Sequence, residues 1–202
     1  MRILGEMRTV VPFHPSHLPG VYAVCMDTSS PGWRESTPEA NPDLLGHVYA
    51  GPYAIHSPEL ASCVVDELGV AGYLWATADS NAFWEWEATH WWPPLRAQYP
   101  RLNGDSWDSR IITLIHDAPR TPPEIVTSFP AHLHIDLLPR AQGQGLGRVL
   151  IENLQVTLKE QGVPGLHLDV GKDNQNAIEF YRHLGFEIAH AAPESYFMTI
   201  AL

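Results

Sequence analysis

Two adjoining runs of residues in the second half of this chain decide its fold. The first alternates polar and apolar residues as a half-buried β-strand does, and it reads His132-Leu133-His134-Ile135-Asp136-Leu137-Leu138. The second follows Pro139 after a short gap and is rich in glycine, reading Gln142-Gly143-Gln144-Gly145-Leu146-Gly147-Arg148. Apolar residues with helical spacing come next, at Leu146, Val149, Leu150, Leu154 and Leu158. The sequence therefore predicts a strand, a glycine-rich turn and a helix in direct succession.

The glycine-rich turn has the properties of a phosphate-binding site. Its backbone N–H groups lie at the N-terminus of a helix, where donors lack partners and the helix dipole is positive. Glycine at alternate positions, Gly143, Gly145 and Gly147, keeps side chains off this surface and permits positive φ angles. The alternative is a helix entry that needs flexible backbone and binds nothing.

The residues around these glycines narrow the class of ligand. A dinucleotide fingerprint would need glycine in place of Arg148, and a nucleoside-triphosphate loop would need Gly-Lys-Ser or Gly-Lys-Thr, which occurs nowhere. The pattern P-x-x-Q-G-x-G-x-G resembles the acyl-coenzyme-A signature Q/R-x-x-G-x-G/A of the GNAT superfamily of N-acetyltransferases, with Gln142, Gly145 and Gly147 at its fixed positions. The resemblance implies that acetyl-CoA is the cosubstrate. Its pyrophosphate would contact Gln142, Gly143, Gln144, Gly145, Leu146, Gly147 and Arg148.

A second segment carries the same resemblance. A short apolar strand over residues 166–170 precedes a predicted helix that starts after Asn174 and is closed by Gly185. This stretch is similar to the GNAT segment N-x-x-A-x-x-x-Y-x-x-x-G-F, here Asn174, Ala177, Tyr181, Gly185 and Phe186. We expect Asn174 to cap the helix, and the resemblance implies that Asn174 and Ala177 also contact the coenzyme. It further implies that Tyr181 lies near the thioester sulfur and donates a proton to it; packing of its ring on the sheet is the alternative.

The whole pattern predicts a mixed α/β GNAT fold of about seven mostly antiparallel strands flanked by helices, in a single domain over residues 1–202. Ahead of residue 79 we expect a strand at 7–13, a helix at 16–26, a loop at 29–42, a helix at 43–49 and a hairpin of strands at 61–66 and 70–76. A helical insertion at 79–130 precedes the fourth strand; its helices are predicted at 81–91, ending at Pro93-Pro94, and at 107–116. The last strand, at 196–202, either completes the sheet of its own chain or pairs with a second copy in a homodimer.

The insertion holds five of the seven tryptophans, namely Trp84, Trp86, Trp91, Trp92 and Trp107. Packing of an extra helical layer on the core is one interpretation, and an aromatic lid over the acceptor or a partner surface is the other. A more specific resemblance rests on Gly72-Tyr73-Leu74, Asp79, Phe83, Trp91-Trp92-Pro93-Pro94-Leu95, Tyr99-Pro100 and Phe129-Pro130. These residues resemble the acetyltransferase-like domain at the C-terminus of O-GlcNAcase and its free-standing bacterial relatives. The animal domain lacks the glycine turn that is complete here, so the resemblance implies that coenzyme binding is retained.

The predicted fourth strand offers the candidate catalytic groups. Its period of two places His132, His134 and Asp136 on one face. We expect His134 to take the proton of an attacking amine, with Asp136 orienting it or acting in its place. On the neighbouring strand, His167 and Asp169 are further candidates for the base.

The resemblance implies direct attack of a primary amine on acetyl-CoA in a ternary complex. The backbone N–H groups of Leu137 and Leu138 would hold the thioester carbonyl where the fourth and fifth strands splay apart. The two histidines and Asp136 of the fourth strand could instead bind a metal, but no zinc-type spacing accompanies them, and we predict no metal. A non-catalytic acetyl-CoA-binding or protein-interaction module is the alternative to an enzyme.

The composition of the chain limits the classes of partner that it is expected to bind. The 202 residues are 45% hydrophobic and carry a formal net charge of −11. Because only 12 residues are Lys or Arg, we expect neither nucleic acid nor an anionic membrane as a partner. The acidic balance suits either a cationic amine acceptor or simple solubility. With no signal-peptide pattern and no run of 18 apolar residues, the expected location is the cytoplasm, with Cys25 and Cys63 as buried, reduced thiols.

Overall fold

A mixed sheet organises the part of the chain that the computed structural model describes, residues 8–29 and 39–202. Its seven strands are β1 (Thr9–Pro12), β2 (Ser62–Asp66), β3 (Gly69–Thr77), β4 (Ala131–Leu137), β5 (Gly165–Gly171), β6 (Glu187–Ala191) and β7 (Ser195–Ala201). Their order across the sheet is β1-β2-β3-β4-β5-β7-β6, and all neighbours are antiparallel except β4 and β5, which are parallel. The predicted fold class is confirmed.

Helices cover both faces of this sheet. In the described residues they are α1 (Leu18–Ser29), α2 (Leu44–Tyr49), α3 (Gly51–His56), α4 (Ser80–Trp86), α5 (Trp92–Gln98), α6 (Trp107–His116), α7 (Pro123–Ser128), α8 (Leu146–Glu160) and α9 (Gln175–His183). On one face α1 to α6 pack around Tyr73 and Trp75, and on the other α8 and α9 pack around Leu74 and Leu133. Alternate residues of one strand therefore enter different cores.

The helix after the glycine-rich turn buries one face, as its spacing predicts. Leu150, Leu154 and Leu158 are buried, and Ile151 joins them. Val149 departs from the expected stripe, because its side chain is 43% exposed and Ile151 occupies the inward position instead. The predicted succession of strand, turn and helix is confirmed.

Most segments predicted ahead of the insertion are present. The first strand and helix correspond to β1 and to a 3₁₀ turn at Pro15–His17 that leads into α1, and the hairpin corresponds to β2 and β3. The predicted helix at 43–49 is α2, whereas the predicted loop at 29–42 falls largely outside the described residues and stays a prediction. The sequence analysis did not identify α3, α7 or β6, three short elements of six, six and five residues.

The predicted end of the first insertion helix at Pro93-Pro94 is wrong. A π-helical turn at Glu87–Trp91 follows α4, and α5 begins directly after it at Trp92. Both prolines then lie in the first turn of α5, where a helix needs no N–H donor from them. The second insertion helix, α6, is confirmed, with Ser106 capping it through a hydrogen bond from the Ser109 N–H at 3.1 Å.

The insertion tryptophans pack mainly on the core. Trp92 is buried, and Trp84, Trp91 and Trp107 contact the same hydrophobic cluster from partly buried positions. Trp84 and Trp92 also line a cavity described below, and the interpretation of these rings as a lid over the acceptor or a partner surface stays a prediction.

The last strand completes the sheet of its own chain. β7 lies between β5 and β6 and pairs with both, so it does not offer a free edge to a second copy. Cys25 and Cys63 are both buried and unpaired with each other, as expected. None of the helices in the described ranges combines the length and apolar character needed to cross a bilayer.

Candidate active site

The glycine-rich turn has the open backbone that its sequence predicts. Gly143 and Gly145 have positive φ angles of 72° and 75°, and a Cβ atom added to either would meet no atom within 4 Å. Glycine is needed at these positions for backbone conformation. Gly147 has a different reason, which the sequence did not indicate: a Cβ atom there would come within 3.1 Å of Phe180 Cζ, so close packing against α9 requires its absence.

The N-terminus of α8 is free of side-chain caps. Its N-cap is Gly145, which has no side chain to occupy the N–H groups of the first turn, and that turn contains no acidic residue. The helix itself supplies no partner for the N–H groups of Leu146, Gly147 and Arg148. Donors and a positive dipole end are therefore directed at one point, as an anion site requires.

Gln142 and Gln144 tie this turn to its surroundings. The Gln142 side-chain amide donates to the Leu137 carbonyl at 2.7 Å, and its backbone N–H donates to the Pro139 carbonyl at 3.2 Å. The Gln144 side-chain amide donates to the Arg140 carbonyl at 3.2 Å. Both glutamine side chains thus hold the shape of the turn, and the Gln142 N–H is engaged within it.

The strands β4 and β5 separate after a short contact. They pair only between Ala131 and Leu166 and between His132 and His167, and no further pairs join them towards Leu137. Parallel neighbours normally continue their hydrogen bonds along both strands. The sheet therefore opens into a gap between β4 and β5, which confirms the expected splay.

Of the two N–H groups expected to face this gap, only that of Leu137 does. The Leu138 N–H donates to the Ala71 carbonyl at 2.9 Å, so it points towards β3. Because hydrogen-bonded and non-bonded pairs alternate along an antiparallel ladder, Leu137 opposite Gly72 points its N–H and C=O away from β3. The Leu138 N–H is thus engaged within the sheet, which corrects the expectation that it faces the ligand.

Tyr181 and Asn174 both lie on α9. The Asn174 side chain accepts from the Ala177 N–H at 3.1 Å, which confirms the predicted helix cap. Tyr181 is 8% exposed, its ring packs 5.7 Å from that of Phe186, and no described residue hydrogen-bonds its hydroxyl. Burial, and to a smaller extent the charge of Asp136, raise the pKa of Tyr181, so the hydroxyl keeps its proton at neutral pH.

The polar face of β4 is as predicted. His132, His134 and Asp136 contact Tyr53 or Tyr73 on the face of the sheet that α1 to α6 cover. Leu133 and the other alternate residues pack on the opposite face, against α8 and α9. The groups nevertheless divide into two sets. Asp136 accepts a hydrogen bond from the Tyr73 hydroxyl, and the two histidines share the Tyr53 hydroxyl. The expectation that Asp136 orients His134 is therefore wrong, because the hydrogen-bond partner of His134 is the Tyr53 hydroxyl on α3 and not Asp136.

A hydrogen-bonded chain runs inward from His134. Tyr53 Oη lies 3.0 Å from His134 Nε2 and 2.7 Å from His132 Nε2. Ser80 Oγ lies 2.6 Å from His132 Nδ1 and 2.6 Å from the Pro130 carbonyl oxygen. A carbonyl oxygen only accepts, so the single Ser80 hydrogen is directed at Pro130 and the chain has a defined polarity.

That polarity fixes the tautomer of each ring. Ser80 Oγ must accept from His132 Nδ1–H, which leaves Nε2 of the neutral His132 ring to accept from the Tyr53 hydroxyl. Tyr53 then has no hydrogen left for His134, so His134 donates its Nε2–H to the Tyr53 oxygen. The lone pair of His134 therefore lies on Nδ1, to which no described residue is hydrogen-bonded.

Burial keeps these histidines neutral. It lowers the pKa of His134 to about 4, with a smaller contribution from His167, and it lowers the pKa of His132 well below its ordinary value. Asp136 shifts the opposite way, because burial raises its pKa despite the hydrogen bond from Tyr73. His167 is also satisfied, since Nδ1 donates to the Phe129 carbonyl at 2.7 Å and Nε2 accepts from Thr121 at 3.0 Å.

A cavity of about 170 Å³ opens beside these groups, between the insertion and strands β4 and β5. It is lined by three histidines, two carboxyl groups and a shell of aromatic rings, which include His132, His134, His167, Glu87, Asp169, Tyr53 and Trp84. The sequence analysis did not identify Tyr53, Ser80 or Glu87; the partners of Tyr53 and Ser80 lie on elements distant in the chain. Among residues 8–29 and 39–202, no group of three His, Cys, Asp or Glu side chains is arranged to hold a metal ion.

A split pair of parallel strands beside an open helix N-terminus defines the acyl-CoA N-acyltransferase class of fold. A model of the acetyltransferase (GNAT) family matches residues 112–186. The crystal structure of SsHAT superposes with a TM-score of 0.86 at 35% identity and covers 96% of this chain and 98% of its own. The chain belongs to the GNAT acetyltransferase family.

This chain is also similar to two curated relatives. Protein O-GlcNAcase of Rattus norvegicus is 28% identical over 191 residues, which are 92% of this chain and 21% of that protein. The chain thus spans about a fifth of the length of this relative. The [ribosomal protein bS18]-alanine N-acetyltransferase of Escherichia coli K12 is 39% identical over 66 residues, which are 33% of this chain and 45% of that enzyme.

Proposed function

We propose that this chain is an acetyl-CoA-dependent N-acetyltransferase that transfers acetyl to a primary amine by direct attack in a ternary complex. The observation that carries the proposal is the position of His134 Nδ1, an unoccupied lone pair on the strand that borders the gap between β4 and β5. The open N-terminus of α8 begins just beyond the same strand.

The residues of the turn fit a coenzyme A pyrophosphate. Gly143 and Gly145 support this fit. A Cβ atom at either position would meet nothing, and their left-handed backbone leaves the N–H groups of the helix uncovered. The pyrophosphate would lie on residues 142–148, and Asn174 and Ala177 at the start of α9 would contact the pantetheine arm. Acetyl-CoA supplies an acetyl thioester, and the Leu137 N–H is the donor placed to stabilise negative charge on its carbonyl oxygen.

His134 accepts the proton of the attacking amine at Nδ1. A base with a pKa of about 4 removes little proton from a resting amine, but the nitrogen becomes strongly acidic as it bonds to the carbonyl carbon. Its Nε2–H remains donated to Tyr53 throughout, so Tyr53, His132 and Ser80 act as positioning residues. Asp136, held by Tyr73, is the second candidate for the base.

Tyr181 donates a proton to the departing sulfur. Because burial keeps its hydroxyl protonated through neutral pH, the donor is always loaded before the reaction. The amine proton leaves through His134 and the sulfur receives its proton from Tyr181, which is reprotonated from solvent. The products are an N-acetyl amine and the CoA thiol.

Calorimetry with CoA followed by a turnover assay on a panel of primary amines tests the proposal. We expect saturable CoA binding and acetyl transfer that falls strongly in His134→Gln while CoA affinity is kept. Absence of CoA binding by folded protein would reject the assignment of the turn.

The alternative is a non-catalytic acetyl-CoA-binding or protein-interaction module, and the weak basicity of His134 is the observation that favours it. Such a module binds CoA and transfers no acetyl group to any amine tested.

We further infer that residues 1–202 form a single domain. We also infer that the protein acts in the cytoplasm, because both cysteines are unpaired thiols.

A further inference from the structure

The cavity beside His134 contains a carboxyl group that the proposed chemistry does not use. Glu87 lies at the start of the π-helical turn Glu87–Trp91, and its side chain lines this cavity together with Tyr53, Trp84 and Trp92. A π-helical turn widens the backbone at one point of a helix and occurs often at functional sites. Glu87 continues the buried stripe of α4, since Ser80, Phe83 and Glu87 are all buried at helical spacing, whereas its neighbours Glu85 and Ala88 are exposed.

The Glu87 side chain is buried and has no hydrogen-bond partner among residues 8–29 and 39–202. The residue is 4% exposed, and no hydrogen bond or ion pair within 4 Å joins its carboxyl group to any described residue. Its oxygens nevertheless keep some accessible surface, since they are not among the described buried side-chain atoms that lack both a partner and accessible surface, such as Nε1 of Trp75 and of Trp107. The surface that remains on Glu87 therefore faces the cavity. A carboxyl group in this position costs stability unless a ligand satisfies it.

The groups around Glu87 favour a cation. The lining includes the aromatic rings of Tyr53, Trp84 and Trp92, and an ammonium ion binds well beside such rings. Asp169 on β5 contributes a second carboxyl group across the cavity. The nearby imidazoles of His132, His134 and His167 are neutral, so they do not neutralise a carboxylate.

Two other groups complete the electrostatic setting. Arg120 lines the same cavity with its guanidinium 5.6 Å from the centre of the Trp84 ring, and no ion pair within 4 Å joins it to Glu87. The Tyr49 hydroxyl is protonated at neutral pH, because burial raises its pKa. Burial likewise raises the pKa of Glu87 to about 8, an effect that the charge of Arg120 reduces.

We propose that Glu87 binds a second cationic group of the acceptor, so that the preferred acceptor is a short molecule with two amines, such as a linear α,ω-diamine. This inference rests on the proposed function and names its substrate class. One amine, uncharged, faces His134 Nδ1 and is acetylated. The other, as an ammonium ion, pairs with the Glu87 carboxylate within the aromatic cavity.

The pairing has a proton balance that can be measured. Glu87 is protonated in the empty cavity below about pH 8, and an ammonium ion converts it to a carboxylate. Binding therefore releases one proton from Glu87 at neutral pH and none from Glu87 well above pH 8. The amine that faces His134 binds uncharged, so it also loses one proton at neutral pH, and it does so equally in a diamine and in a monoamine. The diamine should thus release one proton more than the matched monoamine. Acetyl transfer itself remains balanced, since the amine nitrogen loses a proton and the CoA sulfur gains one.

The test compares linear diamines of three to six carbons with monoamines of the same length. We expect wild-type protein to bind a diamine at least tenfold more tightly than the matched monoamine. Calorimetry at pH 7 in buffers of different ionisation enthalpy should detect one more proton released by the diamine than by the monoamine. Glu87→Gln should abolish both the preference and this additional proton. Glu85→Gln, an exposed carboxylate two residues away, is the matched control and should change neither.

Failure of this inference is distinguishable from failure of the proposed function. Equal binding of diamine and monoamine, or an unchanged preference in folded Glu87→Gln, overturns the Glu87 site, even where monoamines are acetylated. If a diamine binds and releases the additional proton from Glu87 but no acetyl group is transferred, the Glu87 site is supported and the enzymatic proposal is rejected. Because Gln replaces Glu at equal size and removes an unsatisfied acid, we expect the variant to unfold at or above the wild-type temperature.

Discussion

Ser80 Oγ lies 2.6 Å from His132 Nδ1, and this contact determines which nitrogen of His134 carries its lone pair. The Ser80 hydrogen is committed to the Pro130 carbonyl, so each later donor in the chain has one available acceptor. The series ends with His134 Nε2 donating to Tyr53. Ser80, His132 and Tyr53 therefore hold the reactive atom of the proposed base in one protonation pattern.

Tyr53→Phe should lower kcat by about ten- to a hundredfold with CoA affinity unchanged. The variant removes the hydroxyl that accepts from His134, so the ring is free to exchange tautomers and Nδ1 is no longer reliably basic. The matched control is Tyr49→Phe, whose ring lies 5.5 Å from that of His134 without a hydrogen bond to it. Equal losses of kcat in both variants, measured by steady-state kinetics over a pH series, would show that packing alone matters.

Gly145→Ala should weaken CoA binding at least tenfold. The φ of 75° at this position strains any residue with a Cβ atom by about 1–2 kcal/mol, and relief of that strain moves the N–H groups of the turn. Gly162→Ala is the control, because its φ is 74° with equally open surroundings at the far end of α8. Calorimetry should find normal CoA affinity in Gly162→Ala despite a similar loss of stability; reduced affinity in both would remove the turn from the binding site.

Tyr181→Phe should reduce kcat about ten- to a hundredfold and leave the Kd for CoA within about twofold. The ring still packs against Phe186, so the variant should fold normally, and only the proton donor is lost. Single-turnover measurements with acetyl-CoA separate this effect from product release. Unchanged turnover would assign Tyr181 to packing alone.

The free energy of unfolding should fall as the pH decreases from about 6.5 towards 4. His134 is neutral in the folded protein down to a pKa of about 4, whereas in the unfolded chain it takes a proton near 6.5. The unfolded state binds more protons in this window, so stability is present above pH 6.5 and is lost by up to about 1.4 kcal/mol per pH unit for such a group.

Urea unfolding at several pH values measures this slope. Burial lowers the pKa of His132 and His167 as well, and they should add to the same acid sensitivity. His134→Gln should flatten the slope by at most one proton. A variant whose slope equals that of the wild type would mean that His134 is not held neutral.

The sequence predicts the parts of this site that depend on local pattern. The alternation along β4 places His132, His134 and Asp136 on one face, and the glycines mark the positive φ angles at residues 143 and 145. Both follow from the geometry of a single strand or turn. The α8 spacing likewise identifies its buried face, apart from Val149.

The missing parts depend on which distant element covers that face. Tyr53 lies on a six-residue helix with no detectable period, 79 residues from His132, and no local signal pairs them. Glu87 continues the buried face of α4 with Ser80 and Phe83, but this spacing does not reveal that a cavity adjoins its carboxyl group. Leu138 shows the same limit, because only the register with β3 reveals that its N–H is taken by Ala71.

The short contact between β4 and β5 makes the sheet two plates joined along a seam. Strands β1 to β4 form one plate and β5 to β7 the other, with backbone pairs only at the Ala131 and His132 end. A chain of atoms lying in the open part of the seam would substitute for the absent interstrand bonds and clamp the plates together. Binding of acetyl-CoA should then slow amide hydrogen exchange across the entire sheet, including strands that do not contact the bound molecule.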